Sequence, residues 1–380
     1  MARFVVIGTG ALGSAAAFWL AERAGGDVLV LEQFAPGHGR GASEDHSRII
    51  RHSYQSTSYT RLTRAMYACW DELEAAAGLR LVTRTGGLDL ALPGVEEADA
   101  EYAATEAALG AEGIPYEPLD AAETMRRWPQ WSLPDGTRAI FQADAGVLDI
   151  GRACAAHLAL ARAHGAVVRA GGVVRRLEPR DDGVRVHLDG EVLDAEHVVV
   201  CAGRWTNRVL AGVHAFPLRC THEQVQWFAS PRMREFAPER FPIWIGLGEP
   251  SFYGFPVHGF PGVKVSQDLA GPPAEPDDEE AQVDPARIEP VRAFVGRHLP
   301  AAAGPVVAAR ACLYDLTPDR GFVLDAVPGA PRVKVALGAA HAAKWGSLFG
   351  RILADLTLDD TTPHDIAAFR ADRFASGREA

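Results

Sequence analysis

A mixed α/β and α+β fold is predicted by three observations. A glycine-rich strand–turn–helix–strand unit occupies the first 32 residues, alternating helix and strand patterns return after residue 150, and period-two strand patterns fill stretches between them. Together they describe a Rossmann-like dinucleotide-binding domain and a second, antiparallel-sheet substrate domain that is discontinuous in sequence. Two domains also suit the length, because 380 residues exceed the usual reach of one hydrophobic core.

The first unit opens with the short β-branched run RFVVI at residues 3–7. Gly8, Gly10 and Gly13 follow, then an alanine-rich helical segment ending near AERAGG, then DVLVLE at residues 27–32. Gly8 permits the tight turn, Gly10 lets a pyrophosphate approach the backbone, and Gly13 lets the helix pack closely on the strand. Glu32 closes the second strand, where a carboxylate can hydrogen-bond ribose hydroxyls. The flanking strands and Glu32 are what separate this unit from a chance glycine turn. Residues 4–21 carry no charge and would pass a hydropathy threshold for a membrane span. Three glycines interrupt them, so strand, turn and buried helix is the better division. No basic leader precedes the unit, so no secretory signal is expected.

Farther along, LDLALP at 88–93 and TRAIFQADAGVLDI at 137–150 read as strands separated by helix, an insert with antiparallel pairing. IGRACAAHLALARAHGA reads as a helix, and VVRRLEP, VRVHL and EHVVVCAG as strands. The apolar run VVVCAG, ending in small residues, suits a second buried strand that runs toward the nucleotide. The segment GPPAEPDDEEAQVDP at 271–285 is proline-rich and acidic, the mark of a solvated loop. No internal repeat or low-complexity tract interrupts the pattern.

Hydrophobic residues at 48% and charged residues at 23% fit a globular protein, and the formal net charge of −11 would repel nucleic acid and anionic lipid. A small-molecule role is therefore expected, with no nucleic acid or membrane partner. Five cysteines, an odd number without a C-x-x-C pair, fit neither a disulfide framework nor a zinc site. A reducing, cytoplasmic location and no metal are expected.

The amino-terminal unit does not separate NAD from FAD, since both present a pyrophosphate and an adenosine ribose. Later motifs do. The element order, with RGASEDHSRIIRHSY at 40–54, VVVCAGRWTNRVL at 198–210, YGFP followed by GVKV, and ACLYDLTPDRGFVLD at 311–325, resembles the monomeric sarcosine oxidase and N-methyltryptophan oxidase group of D-amino-acid-oxidase-like flavoproteins. The most specific pieces are SRIIRH and CLY with TPD, and the resemblance runs through nearly the whole chain. It implies FAD as cofactor, with a thioether between Cys312 and the flavin ring. Read alone, Cys312 is a small apolar residue of the kind usually buried. The resemblance also implies an FAD-binding domain over residues 1–80, 150–215 and 316–380. A substrate domain over 81–149 and 216–315 would then place Cys312 at the seam.

Site residues follow from the same resemblance. Arg48 and Arg51, three apart, could face the same way on a helical turn. Arg51 matches the family position that binds the substrate carboxylate, and Arg48 the one beside the flavin ring. A planar guanidinium fork engages both carboxylate oxygens. Lys344 matches the second carboxylate partner, near the start of a helix whose dipole would favour negative charge on a reduced flavin. Lys264 matches the lysine that activates dioxygen, where a fixed positive charge stabilises superoxide. Alternation along VKVSQD puts Lys264, Ser266 and Asp268 on one strand face, and a lysine beside an aspartate on a strand is ordinarily a solvated salt bridge. Tyr253 and Tyr314 match cavity tyrosines. Ser43, Val174, Gly203 and His341 complete the expected cofactor contacts, although Ala340 and Ala342 stand where glycines usually flank that histidine.

Two departures bear on specificity: Glu44 and Asp268 stand where the sarcosine oxidases have histidines. Ionised acids there would hold the substrate amine as a cation, whereas oxidation needs it neutral. Sarcosine is therefore expected to be a poor substrate, and amino acids with basic or hydroxylated N-substituents or side chains better ones. The activity implied is oxidation of a secondary or N-substituted amino acid by a monomer that uses dioxygen. A dehydrogenase with another acceptor, a flavin-binding subunit of a larger complex, and an NAD dehydrogenase are the alternatives.

Overall fold

A computed structural model describes residues 2–278 and 282–374. Residues 279–281 of the acidic segment and 375–380 of the last predicted domain piece lie outside the described residues.

The amino-terminal unit forms β1 (Phe4–Ile7), α1 (Ala11–Ala24) and β2 (Val28–Glu32). These strands enter a six-stranded sheet in the order Val323–Val327, Ala330–Leu337, His197–Val200, β1, β2, Val167–Ala170. Its pairings are parallel except for that between Val323–Val327 and Ala330–Leu337. All four residues of β1 are buried, as a parallel strand covered on both faces requires. Period-two alternation divides them. Phe4 and Val6 pack with α1 and the helices Thr57–Ala77, Ile150–Ala163 and Gly346–Leu358. Val5 and Ile7 instead face the three-stranded antiparallel sheet of Val174–Pro179, Val184–Leu188 and Glu191–Ala195.

Close packing explains two of the glycines. A Cβ on Gly13 would lie 2.1 Å from the carbonyl oxygen of Gly8, so α1 sits directly on the turn. One on Gly350 would lie 2.4 Å from the carbonyl carbon of Ala15, where α1 meets Gly346–Leu358. Gly8 itself has φ of +101°, a conformation that L side chains rarely adopt.

The remaining segments build a nine-stranded sheet in which Arg219–Phe228 pairs with Val263–Gln267 and Val306–Leu316. The sequence reading expects antiparallel pairing here, and one pair departs from it. Gly87–Ala91 lies parallel to Ile243–Gly246. The two come from different inserts, so no hairpin dictates their direction.

A second correction concerns Arg48 and Arg51. Arg48–Ile50 is a strand, β3, antiparallel to Gly146–Leu148, rather than a helical turn. Paired β-branched isoleucines favour that outcome. No helix among the described residues is long and apolar enough to cross a membrane.

Candidate active site between the two sheets

A cavity of about 360 Å³ opens at the carboxyl ends of β1 and β2, lined by Gly8, Gly10, Glu32, Ser43, Val174 and Gly203 among others. A Cβ on Gly10 would come within 2.9 Å of Ser43 Oγ, so the wall there is bare backbone. Ser43 Oγ also accepts from Ala11 N–H at 2.9 Å, fixing the loop against the start of α1. Glu32 accepts from Thr9 N–H (3.0 Å), Thr9 Oγ1 (2.7 Å) and Phe34 N–H (2.9 Å). Burial alone would raise its pKa, but His38, Phe34 and Thr9 hold it below the usual value. Bare glycine backbone at a helix amino terminus suits a pyrophosphate, and an ionised carboxylate suits ribose hydroxyls, so these residues fit FAD. Trp205, which nothing singles out within VVVCAGRWTNRVL, also lines this cavity and meets Phe34 edge-on at 5.6 Å. An aromatic just beyond a strand that ends at the cofactor is the signal that could have found it.

A second cavity of about 290 Å³ shares Glu44, Asp45, Arg310, Ala340 and Ala343 with the first. It brings together Arg48, Arg51, Lys264, Cys312 and Lys344, with Tyr253, Tyr314, Asp268 and His341 on the remaining walls. Arg48 is committed to the loop before it, donating to the carbonyls of Ala42 (2.7 Å), Glu44 (2.5 Å) and Ser47 (2.8 Å). Arg51 and Lys344 converge on Tyr54, with Arg51 Cζ 5.2 Å and Lys344 Nζ 6.0 Å from its ring centroid.

Arg51 is not the free cation the sequence suggests. It forms an ion pair with Asp89, a buried residue in the middle of Gly87–Ala91. An acid inside the apolar run LDLAL is the sequence signal for this pair, in a segment that otherwise reads only as strand. Lys344 lies in the single turn Ala342–Trp345 ahead of the helix Gly346–Leu358, and its Nζ donates to the carbonyl of His341 at 3.2 Å. Burial, with Arg51 adding to it, pushes the Lys344 pKa down to about 7. Burial likewise pushes His341 down to about 3, so its ring is neutral.

Ala339 (φ +40°) and Ala340 (φ +72°) hold left-handed conformations where glycine is at ease. The turn is therefore formed by alanines, at a cost of roughly 1–2 kcal/mol per residue.

Lys264 is also placed differently from expectation. It is fully buried, and its acid partner is Asp45 of the loop, not Asp268. Ser47 Oγ accepts from Nζ at 3.1 Å, and the rings of Phe255 and Trp227 lie 4.6 and 5.5 Å from it. Burial lowers its pKa to about 8, with Asp45 opposing. The strand ends at Gln267, so Asp268 falls outside the alternation, and its N–H donates to the carbonyl of Ser251 at 2.9 Å. Burial, with Glu223 adding like charge, raises the Asp268 carboxyl to about 6. Glu44, the other predicted acid, has Arg310 at 3.8 Å.

Cys312 lies on Val306–Leu316 opposite Glu223, and its sulfur is free. Burial raises its thiol to about 11, with Arg48 pulling the other way. The hydroxyls of Tyr253 and Tyr314, raised by burial, stay protonated.

The whole arrangement has known counterparts. A family model described as DAO, FAD dependent oxidoreductase, matches residues 3–356. The chain is 34% identical to monomeric sarcosine oxidase of Streptomyces avermitilis, over 98% of this chain and 97% of that protein. It is 30% identical to N-methyl-L-tryptophan oxidase of Salmonella arizonae, over 98% of each. Among solved structures it is similar to NikD, an unusual amino acid oxidase essential for nikkomycin biosynthesis. That similarity has a TM-score of 0.85 and 29% identity, over 97% of this chain and 96% of that one. With a family match across nearly its whole length, the chain belongs to the DAO family of FAD dependent oxidoreductases.

Proposed function

We propose that the chain is an FAD-dependent amine oxidase. It oxidises a secondary or N-substituted amino acid to an imine, which water splits into an aldehyde or ketone and an amine. Dioxygen takes the electrons and leaves as hydrogen peroxide. The observation that carries this reading is the contiguity of the two cavities across Glu44, Asp45, Arg310, Ala340 and Ala343. The names of the relatives, sarcosine oxidase and N-methyltryptophan oxidase, favour the same class.

FAD, when bound, supplies a ring that accepts a hydride equivalent. The chain supplies the positioning. Arg51 and Lys344 take the substrate carboxylate, which fixes the carbon–hydrogen bond next to nitrogen, and such orientation is a large source of rate. Tyr253 and Tyr314 wall the cavity and limit water. An amine bound in its neutral form needs no base to release the electron pair. The working form proposed is a cytoplasmic monomer with the FAD domain in residues 1–80, 150–215 and 316–380.

We also propose that Cys312 Sγ is bonded to the flavin: its S–H and one C–H of a ring methyl group would be lost as the carbon–sulfur bond forms, and dioxygen would take the electron pair and leave as hydrogen peroxide. Acid precipitation tests this together with the cofactor. Yellow colour is expected to stay with the wild-type pellet and to leave with the supernatant of a Cys312→Ala variant. Colour in the wild-type supernatant would refute the bond and leave Cys312 as a packed residue.

A second reading, a dehydrogenase using another acceptor, is favoured by one observation: Asp45 offsets the charge of Lys264, the residue proposed for the dioxygen step. Peroxide release in air by the isolated chain separates the two.

A further inference from the structure

Most acids that bear on the second cavity have a partner. Asp45 pairs with Lys264 and Asp89 with Arg51. Glu249 has Arg320 at 3.5 Å, and Glu44 has Arg310 at 3.8 Å. Glu223 accepts from Thr221 Oγ1 at 2.8 Å and Gly271 N–H at 3.2 Å, with Arg287 at 3.4 Å. Asp268 differs. Among the described residues no donor reaches its carboxylate, although it lines the cavity wall. Lys344 is its counterpart on the cationic side, with no carboxylate within 4 Å among the described residues. Both line the same cavity and no ion pair joins them among the described residues, so an acidic and a basic group stand there with a gap between them.

A ligand that bridges this gap carries a carboxylate for Lys344 and Arg51 and a donor for Asp268. The reacting amine is a poor candidate for that donor. Its lone pair must be free when the hydride equivalent leaves, and a carboxylate beside it would keep it protonated.

We propose that Asp268 is a specificity residue that binds a second cationic group of the substrate, an amine or guanidine on the side chain or N-substituent. This rests on the amino acid oxidase reading and narrows it to basic substrates. A charge-assisted hydrogen bond in a buried site is worth roughly tenfold to a hundredfold in discrimination.

The test has two arms, run on wild type and Asp268→Asn loaded with FAD. In the first, kcat/KM is compared for Nα-methyl-lysine and N-methyl-2-aminoheptanoate, whose side chains have equal length and differ in charge. Wild type is expected to prefer the lysine compound by at least about tenfold, and the variant to lose that preference. In the second, calorimetry compares binding of 6-aminohexanoate and heptanoate, chains of equal length. The amine is expected to tighten binding to wild type and not to the variant. A ratio near unity in wild type, or a ratio that survives Asp268→Asn, overturns the proposal. If neither amino acid is oxidised, the narrowing to basic N-methyl amino acids as substrates fails, and the calorimetric ratio alone decides whether Asp268 binds a cationic group.

Discussion

Replacing Lys264 with methionine is expected to slow reoxidation of the substrate-reduced enzyme by dioxygen by about a hundredfold or more, while reduction by substrate changes only a few-fold. The side chain is buried against Phe255 and Trp227, where a charge acts at low dielectric and little water shields it. Stopped-flow measurement of the two half-reactions separates the effects. The Asp45 partnership adds a pH dependence. Lysine is charged below its pKa and neutral above it. With the Lys264 pKa near 8, reoxidation should therefore fall as pH rises through about 8. Asp45 opposes the lowering, so Asp45→Asn should move the midpoint to lower pH. A reoxidation rate independent of both residues would remove Lys264 from the dioxygen step.

Arg51→Leu should act on stability and on substrate at once. It leaves Asp89 as an unpaired acid in the middle of the large sheet, and breaking a buried pair this way costs about 3–5 kcal/mol. It also removes half of the carboxylate anchor, and kcat/KM should fall about a hundredfold or more. The double variant Arg51→Leu/Asp89→Leu separates the two roles. Apolar residues filling both positions should recover most of the stability, because the orphaned acid is gone. They should not recover kcat/KM. Denaturant unfolding beside steady-state kinetics measures both. Recovery of activity in the double variant would show that Arg51 serves the fold and not the substrate.

These predictions turn on pairings that the sequence reading lacks, and the reason is distance along the chain. The glycine unit was legible because most of its logic is local: Gly13 packs on Gly8 and Glu32 accepts from Thr9 within one strand–helix–strand unit, while the close approach at Gly8 is to Cys201, far along the chain. Motif resemblance supplied Arg51, Lys264 and Lys344 and pointed to the cavity they line. It did not supply their partners. Asp89 is 38 residues from Arg51, and Asp45 is 219 from Lys264. Neither acid marks itself by spacing, and each meets its cation only once inserts from different parts of the chain have packed. Helical spacing also misled at Arg48 and Arg51, because three residues apart fits a helical turn and a short strand equally well until Gly146–Leu148 supplies the pairing partner. Of the two alanines that depart from the family pattern, Ala340 takes a positive φ and Ala342 does not, and the other alanine at positive φ, Ala339, carries no mark in the sequence.

The central claim is that the two joined cavities carry electrons from an N-substituted amino acid through FAD to dioxygen. Its most direct test is anaerobic titration of the purified yellow protein with N-methyl amino acids, followed by admission of air and a peroxide assay. The account predicts bleaching of the yellow colour by substrate, then its return with hydrogen peroxide equimolar to the imine formed. Bleaching that reverses only on addition of another acceptor would contradict the oxidase. No bleaching by any N-substituted amino acid would contradict the claim as a whole.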